Sequence, residues 1–239
     1  VLAGAGITAE GAVNSTTING DIGTFLTTSI TGLGNVVLNG VNHAGDGVTQ
    51  GAKTDLGTAY TDAAGRTPTT TYGPIYDLGG QTLTSGVYND PSSFGITGTL
   101  TLDGQNNPDA VWIFQAGSTL ITAAGAPGSP GSSIVLINGA QACHVFWQVG
   151  SSATIGTYSD FVGTILAWED ITLDPYATAN GRVLAGADLT SGAADLKGYN
   201  TITVPTCIPE ASSFWPGAFC ASIFAWQGLV VWRRKAARS

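Results

Sequence analysis

Threonine hydroxyls repeated at a fixed step are the first feature of this sequence with a chemical consequence. Thr154, Thr172 and Thr190 are spaced by 18 residues, and Thr101 and Thr119 repeat that step upstream. A threonine hydroxyl both donates and accepts a hydrogen bond, its methyl restrains adjacent water, and β-branching fixes χ1. A row of them is a rigid, uncharged array of hydrogen-bonding sites. Side chains suited to catalysis are sparse. The two histidines, His43 and His144, sit in segments that read as structural, and His144 neighbours an apolar run. Metal-ligand clusters of recognised spacing are missing, so no metal or other cofactor is expected. Asp103 and Asp109 flank the loop Gln105-Asn106-Asn107-Pro108. Such a pair suits a glycosidase or a calcium site, but turn formation accounts for both residues. The chain is read as non-enzymatic.

Stacked short strands would have to position the threonines. The 239 residues include 34 glycines and no methionine, and only 10% are charged, which fits short β segments and frequent turns. The net charge of -8 excludes a basic stripe for nucleic acid. Other positions share the 18-residue step: Val149, Ala167 and Ala185, then Tyr158 and Tyr176. A constant period near 20 residues marks a solenoid. In Thr99-Leu100-Thr101-Leu102 and Asp170-Ile171-Thr172-Leu173, alternation sends Leu and Ile inward and Thr outward. The same reading applied to Asp188-Leu189-Thr190 turns Leu189 in and Thr190 out. Stacking then sets outward Thr over outward Thr at about 4.8 Å. One helix is expected over roughly residues 49–64, with Ala52, Leu56, Ala59, Tyr60 and Ala63 as its apolar stripe, Asp46 as cap and Gly65 as stop. The fold class is mainly β: a right-handed β-solenoid with coils of about 18 residues and one long helix packed alongside.

Several strings carry a resemblance. They are Gly79-Gly80-Gln81-Thr82-Leu83-Thr84-Ser85-Gly86-Val87-Tyr88, Ala110-Val111-Trp112-Ile113-Phe114-Gln115 and the run from Ile137-Asn138-Gly139 to Gln148-Val149-Gly150. Ser151-Ser152-Ala153-Thr154-Ile155-Gly156-Thr157 and Asn180-Gly181-Arg182-Val183-Leu184-Ala185 complete them. In this order, over roughly residues 7–206, the chain resembles the bacterial and fungal ice-binding protein family. The resemblance implies a triangular solenoid with a helix along one side, and N-terminal strands that join the far end of the stack. It also implies adsorption to ice crystals, with thermal hysteresis and inhibition of ice recrystallisation. The candidate ice-binding residues are Thr99, Thr101, Thr119, Thr154, Thr172 and Thr190. An alternative face is Thr122, Thr157, Thr178 and Thr201. Family members often follow the Ser-Ala-Thr string with Gly and Thr, where this chain has Thr157-Tyr158-Ser159-Asp160-Phe161. The competing reading is a cell-surface adhesin or matrix solenoid that binds sugar or protein. A ring-poor threonine ladder favours ice, whereas a groove lined by Trp and Asp favours sugar.

Residues 1–206 are read as the solenoid domain and 207–239 as a separate C-terminal segment. From 211 to 232 there is no charge, and Arg233, Arg234, Lys235 and Arg238 follow. With Ile208-Pro209-Glu210-Ala211 before it, this segment resembles a PEP-CTERM sorting tail, although the family's second Pro is replaced by Ala211. A plain membrane anchor through 211–232 and a soluble helix packed on the body are the other readings. The sorting-tail resemblance implies a protein secreted to, or held at, the surface of a Gram-negative bacterium. Val1 at the start reads as a mature or trimmed form, and a monomer is expected. Cys143 and Cys207 are either a disulfide or two buried thiols, and Cys220 lies in the apolar segment.

Overall fold

The computed structural model describes residues 1–207. The tail motif, the apolar span 211–232 and Cys220 lie outside the described residues. Among the described residues, no helix is long and apolar enough to cross a membrane.

Three eight-stranded parallel sheets wind into a solenoid. Each coil contributes one strand per sheet, as in Val145–Val149 of sheet 1, Ala153–Ile155 of sheet 2 and Asp160–Val162 of sheet 3. Strand faces alternate as the side-chain pattern demands. Ile171 and Leu173 are fully buried around Thr172, and Leu100 and Leu102 around Thr101. The interior also stacks aromatic rings, with Phe114 3.9 Å from Trp147 and Tyr88 5.4 Å from Phe114. The indole N–H groups of the buried Trp112 and Trp147 donate to the carbonyls of Leu83 and Val162, so neither indole donor is stranded.

Chain order and spatial order differ. Leu2 pairs with Leu184, Ile7 with Ala194 and Thr17 with Thr201, so the N-terminal coil closes on the C-terminal one. A further coil, Gly23–Thr24, Ile30–Thr31 and Val36–Leu38, ends the stack on that side.

Helix α1, Gly47–Gly65, returns the chain to the opposite end along sheet 1. From Thr49 to Ala63 it rises about 21 Å, close to the ~24 Å of the five strand steps it passes. Asp46 caps its start by accepting from the Val48 and Thr49 amides at 2.9 and 3.0 Å. At its end, Gln115 of sheet 1 donates to the carbonyls of Ala63 and Arg66, both at 2.8 Å. Gln148, in register with Gln115, donates to the Tyr60 hydroxyl at 2.8 Å. Gly23 has no side chain because Thr49 packs where a Cβ would stand. Leu56 and Ala63 are buried against Leu2, Leu166 and Ala187, with Ala52 and Tyr60 beside them. Ala59, expected in this stripe, is exposed, and Lys53 is buried instead, its ammonium donating to the carbonyls of Ala185 and Gly186.

Cys143 and Cys207 form a disulfide that ties the 3-10 turn Ala142–His144 to the chain beyond sheet 3.

Candidate functional site

Helix α1 covers sheet 1, which leaves sheets 2 and 3 to present outward rows. On sheet 2 a single file runs Thr31, Thr8, Asp195, Thr172, Thr154, Ile121, Gly95, Asp77, each in register with the next. The strand spacing sets these groups about 4.8 Å apart. Behind the file lie Ile7, Ala194, Ile171, Ala153, Leu120 and Phe94, none more than 1% exposed, so the backbone beneath it has no room to shift. The hydroxyls of Thr8, Thr31, Thr154 and Thr172 make no side-chain hydrogen bond among the described residues. Their donors and acceptors are therefore open to water.

Sheet 3 carries the file Val37, Thr17, Thr201, Thr178, Asp160, Ser133, Thr99. Several of its groups bond one another. Thr178 donates to Asp160 at 2.8 Å, the Thr99 and Ser133 hydroxyls are 3.0 Å apart, and Asn19 donates to Thr203 at 3.0 Å. Hydroxyls already engaged have less to offer a second lattice.

The expected residues divide between these faces. Thr154 and Thr172 are adjacent in sheet 2, and Thr119 flanks that sheet one residue before Leu120–Thr122, its hydroxyl bonded to Ser93 at 2.8 Å. Thr99 and Thr101 belong to sheet 3, where Thr101 pairs with Thr82 and Val135. Thr190 joins neither file. It sits in an exposed turn and donates to Asp188 at 2.8 Å, and Asp195 takes the place beside Thr172. Leu189, expected inward, is 43% exposed. The reason is an insertion: 23 residues separate Thr172 from Asp195, against 18 from Thr154 to Thr172. Of the alternative set, Thr178 and Thr201 are neighbours in sheet 3. Thr122 points inward, bonded to Ser159 and to the Gly156 amide, and Thr157 lies in the corner before Tyr158.

Charge interrupts both files. Asp195 lies between Thr172 and Thr8 with Lys197 3.8 Å away, and Lys197 also meets Glu10 at 2.9 Å. Asp160 interrupts sheet 3. The tyrosines of the departing segment lie on neither face. Tyr158, Tyr176 and Tyr199 stack at the corner between sheets 2 and 3, with centroids 4.6 and 4.7 Å apart, each with φ between 55° and 64°. Asp188 caps the inserted turn. Partial burial pushes its carboxyl up, but hydrogen bonds from Ser191 and Thr190 together outweigh this and hold it at about 2.

Residues weighed for catalysis have structural partners. His43 bonds the capping Asp46 at 2.7 Å, and His144 meets the Pro108 carbonyl at 3.0 Å. Asp103 accepts from the Gln105 amide and the Asn138 side chain, both at 2.8 Å. Among the described residues, one group of three potential metal ligands is present, Cys143, His144 and Cys207, and its two sulfurs are bonded to each other.

Thr8 and Thr31 were not legible as site residues, because only the closure of the N-terminal coil on the far end brings them into the file. Asp195 was hidden by the insertion.

The comparisons with known proteins agree with this architecture. The family model described as ice-binding-like matches residues 1–194. An ice-binding protein of Nostoc sp. (strain HG1) is 42% identical over 186 residues, covering 77% of this chain and 65% of the relative. Ice-binding protein 1 of Shewanella frigidimarina is 43% identical over 141 residues, 57% of this chain and 15% of that protein. The chain thus spans less than two thirds of these relatives. The crystal structure of the ice-binding protein of Antarctomyces psychrotrophicus superposes with a TM-score of 0.75 at 39% identity, covering 85% of this chain and 93% of that one. With four fifths of its length matched and the helix-backed solenoid in place, this chain belongs to the ice-binding-like family.

Proposed function

We propose that the protein adsorbs to ice through sheet 2, with Thr154, Thr172, Thr8 and Thr31 as the contacting residues and Thr119 at the rim. The observation that carries this reading is the file of unengaged hydroxyls in strand register over a fully packed interior. Ice is a lattice of uncharged hydrogen-bonding sites, so the groups that match it must be fixed before contact. A packed solenoid face supplies that, and little conformational freedom remains to be lost on binding. Adsorbed molecules then pin the growing front, which gives thermal hysteresis and slows recrystallisation. No bond is made or broken, and neither metal nor cofactor enters. The protein acts as a monomer in this reading.

The disulfide suits an oxidising compartment, which supports export. Surface retention in a Gram-negative bacterium through 207–239 rests on the sequence of that segment alone.

Thr154→Tyr and Thr172→Tyr place a ring on the file without touching the core. Each should remove most of the thermal hysteresis, measured by nanolitre osmometry, while Thr178→Tyr and Thr201→Tyr should retain it. Loss confined to the second pair moves the site to sheet 3. A wild-type protein that neither shapes ice nor slows recrystallisation refutes adsorption itself.

A further inference from the structure

A groove of about 830 Å³ runs between the outer side of helix α1 and the turn that follows strand Val183–Ala185. It is within the size range of small-ligand sites. Trp168 and Leu189 form its apolar part, and Asp62, Asp188, Thr58 and Thr61 contribute polar groups. Trp168 differs from the two core tryptophans. It is 41% exposed, rests on Tyr60 at 5.2 Å, and its indole N–H has no protein partner among the described residues.

We propose that this groove binds a pyranose unit of a neutral polysaccharide, stacked on Trp168. A pyranose ring has an apolar C–H face and a rim of hydroxyls, and a half-exposed indole beside fixed polar groups complements both. The rim here is rich in acceptors. Thr58 and Thr61 direct their hydroxyl hydrogens to the carbonyls of Thr54 and Gly57, at 3.1 and 2.8 Å, leaving oxygen lone pairs outward. The Asp188 carboxylate is already filled by four hydrogen bonds from Thr190 and Ser191, so it contributes charge rather than an acceptor. The Thr58 and Thr61 oxygens suit donors such as sugar hydroxyls. The guanidinium of Arg66, held on Asp62 at 2.8 Å, adds donors already oriented and offsets that carboxylate. Asp62 and Arg66 cancel, and Asp188 disfavours an anionic polymer. The groove lies on the helix side of the solenoid, so the site is independent of adsorption through sheet 2.

Affinity electrophoresis of the full chain through gels containing dextran, laminarin or xylan tests this, with carboxymethylcellulose as the anionic control. Retardation is expected in at least one neutral polymer. It should vanish in Trp168→Ala and in Thr58→Arg, which fills the groove from the helix surface without touching the core. Both variants should keep the wild-type thermal hysteresis, and Thr58→Arg should also keep the wild-type unfolding temperature. Absence of retardation in every neutral gel, retardation by carboxymethylcellulose alone, or retardation unchanged in both variants overturns the proposal.

Discussion

Lys53 makes the seating of helix α1 on the solenoid dependent on pH. Its side chain is 2% exposed, and its ammonium bonds the carbonyls of Ala185 and Gly186. Burial lowers its pKa from 10.5 to about 8, against a smaller opposing pull from Asp188. In the unfolded chain the amine stays protonated until pH 10.5, so between pH 8 and 10.5 the unfolded state binds more protons. Stability therefore rises with pH across that window. The full difference corresponds to about 3 kcal/mol at ~1.4 kcal/mol per unit, of which about 2 kcal/mol falls between about pH 7 and 9.5. The upper limit avoids the phenols. Tyr60, Tyr72, Tyr88 and Tyr176 are raised above their usual range, chiefly by desolvation, and they withdraw stability as pH climbs past 10. Urea unfolding at about pH 7, 8 and 9.5 should give a free energy that increases at each step. Lys53→Met should flatten the rise. Its effect at neutral pH should be small, because relief from burying a charge is set against two carbonyls left without a donor. A wild-type stability that is flat or falling up to about pH 9.5, or a rise between about pH 8.5 and 9.5 that persists in Lys53→Met, refutes the assignment; the Val1 amino group, lowered by desolvation from 8.0 to about 5, adds its own rise only up to about pH 8.

Two further outcomes follow from the same geometry. Asp195→Thr would join Thr172 to Thr8 in one unbroken uncharged file, and hysteresis should increase; a decrease would mean that the carboxylate contributes to the face. Replacing both bonded cysteines by serine opens a loop of 64 residues. On the loop-entropy estimate this costs up to about 4 kcal/mol, read as a lower urea midpoint. Hysteresis in the folded state should not change, since Cys143 sits in the corner between sheets 3 and 1.

Alternation was readable wherever apolar side chains mark the interior. Leu100, Leu102, Ile171 and Leu173 are buried as their spacing requires. The 18-residue step was readable only across coils without insertions. Val149, Ala167 and Ala185 are stacked in register, and Tyr158 lies against Tyr176. Thr101 and Thr119 keep the same step yet fall on sheets 3 and 2, because the coil between them carries the loop around residues 104–111. Lys53 gave no signal, since its partners are backbone carbonyls of a strand end more than 130 positions away.

These cases share one cause. A one-residue slip in a strand would send its whole apolar set to solvent, so packing fixes the strand register regardless of coil length. Extra residues must then be absorbed at corners, where exposed turns accept them at little cost. The inserted turn at 188–192 does this, with Asp188 satisfying the amides of Thr190 and Ser191. Counting from Thr172 therefore lands on a turn threonine, whereas counting inward-facing residues, from Ile171 to Ala194, lands on the true neighbour Asp195. For this fold the outward row is read from the burial alternation of its flanking residues. A threonine's sequence distance from the previous one carries that information only when no corner intervenes with added length.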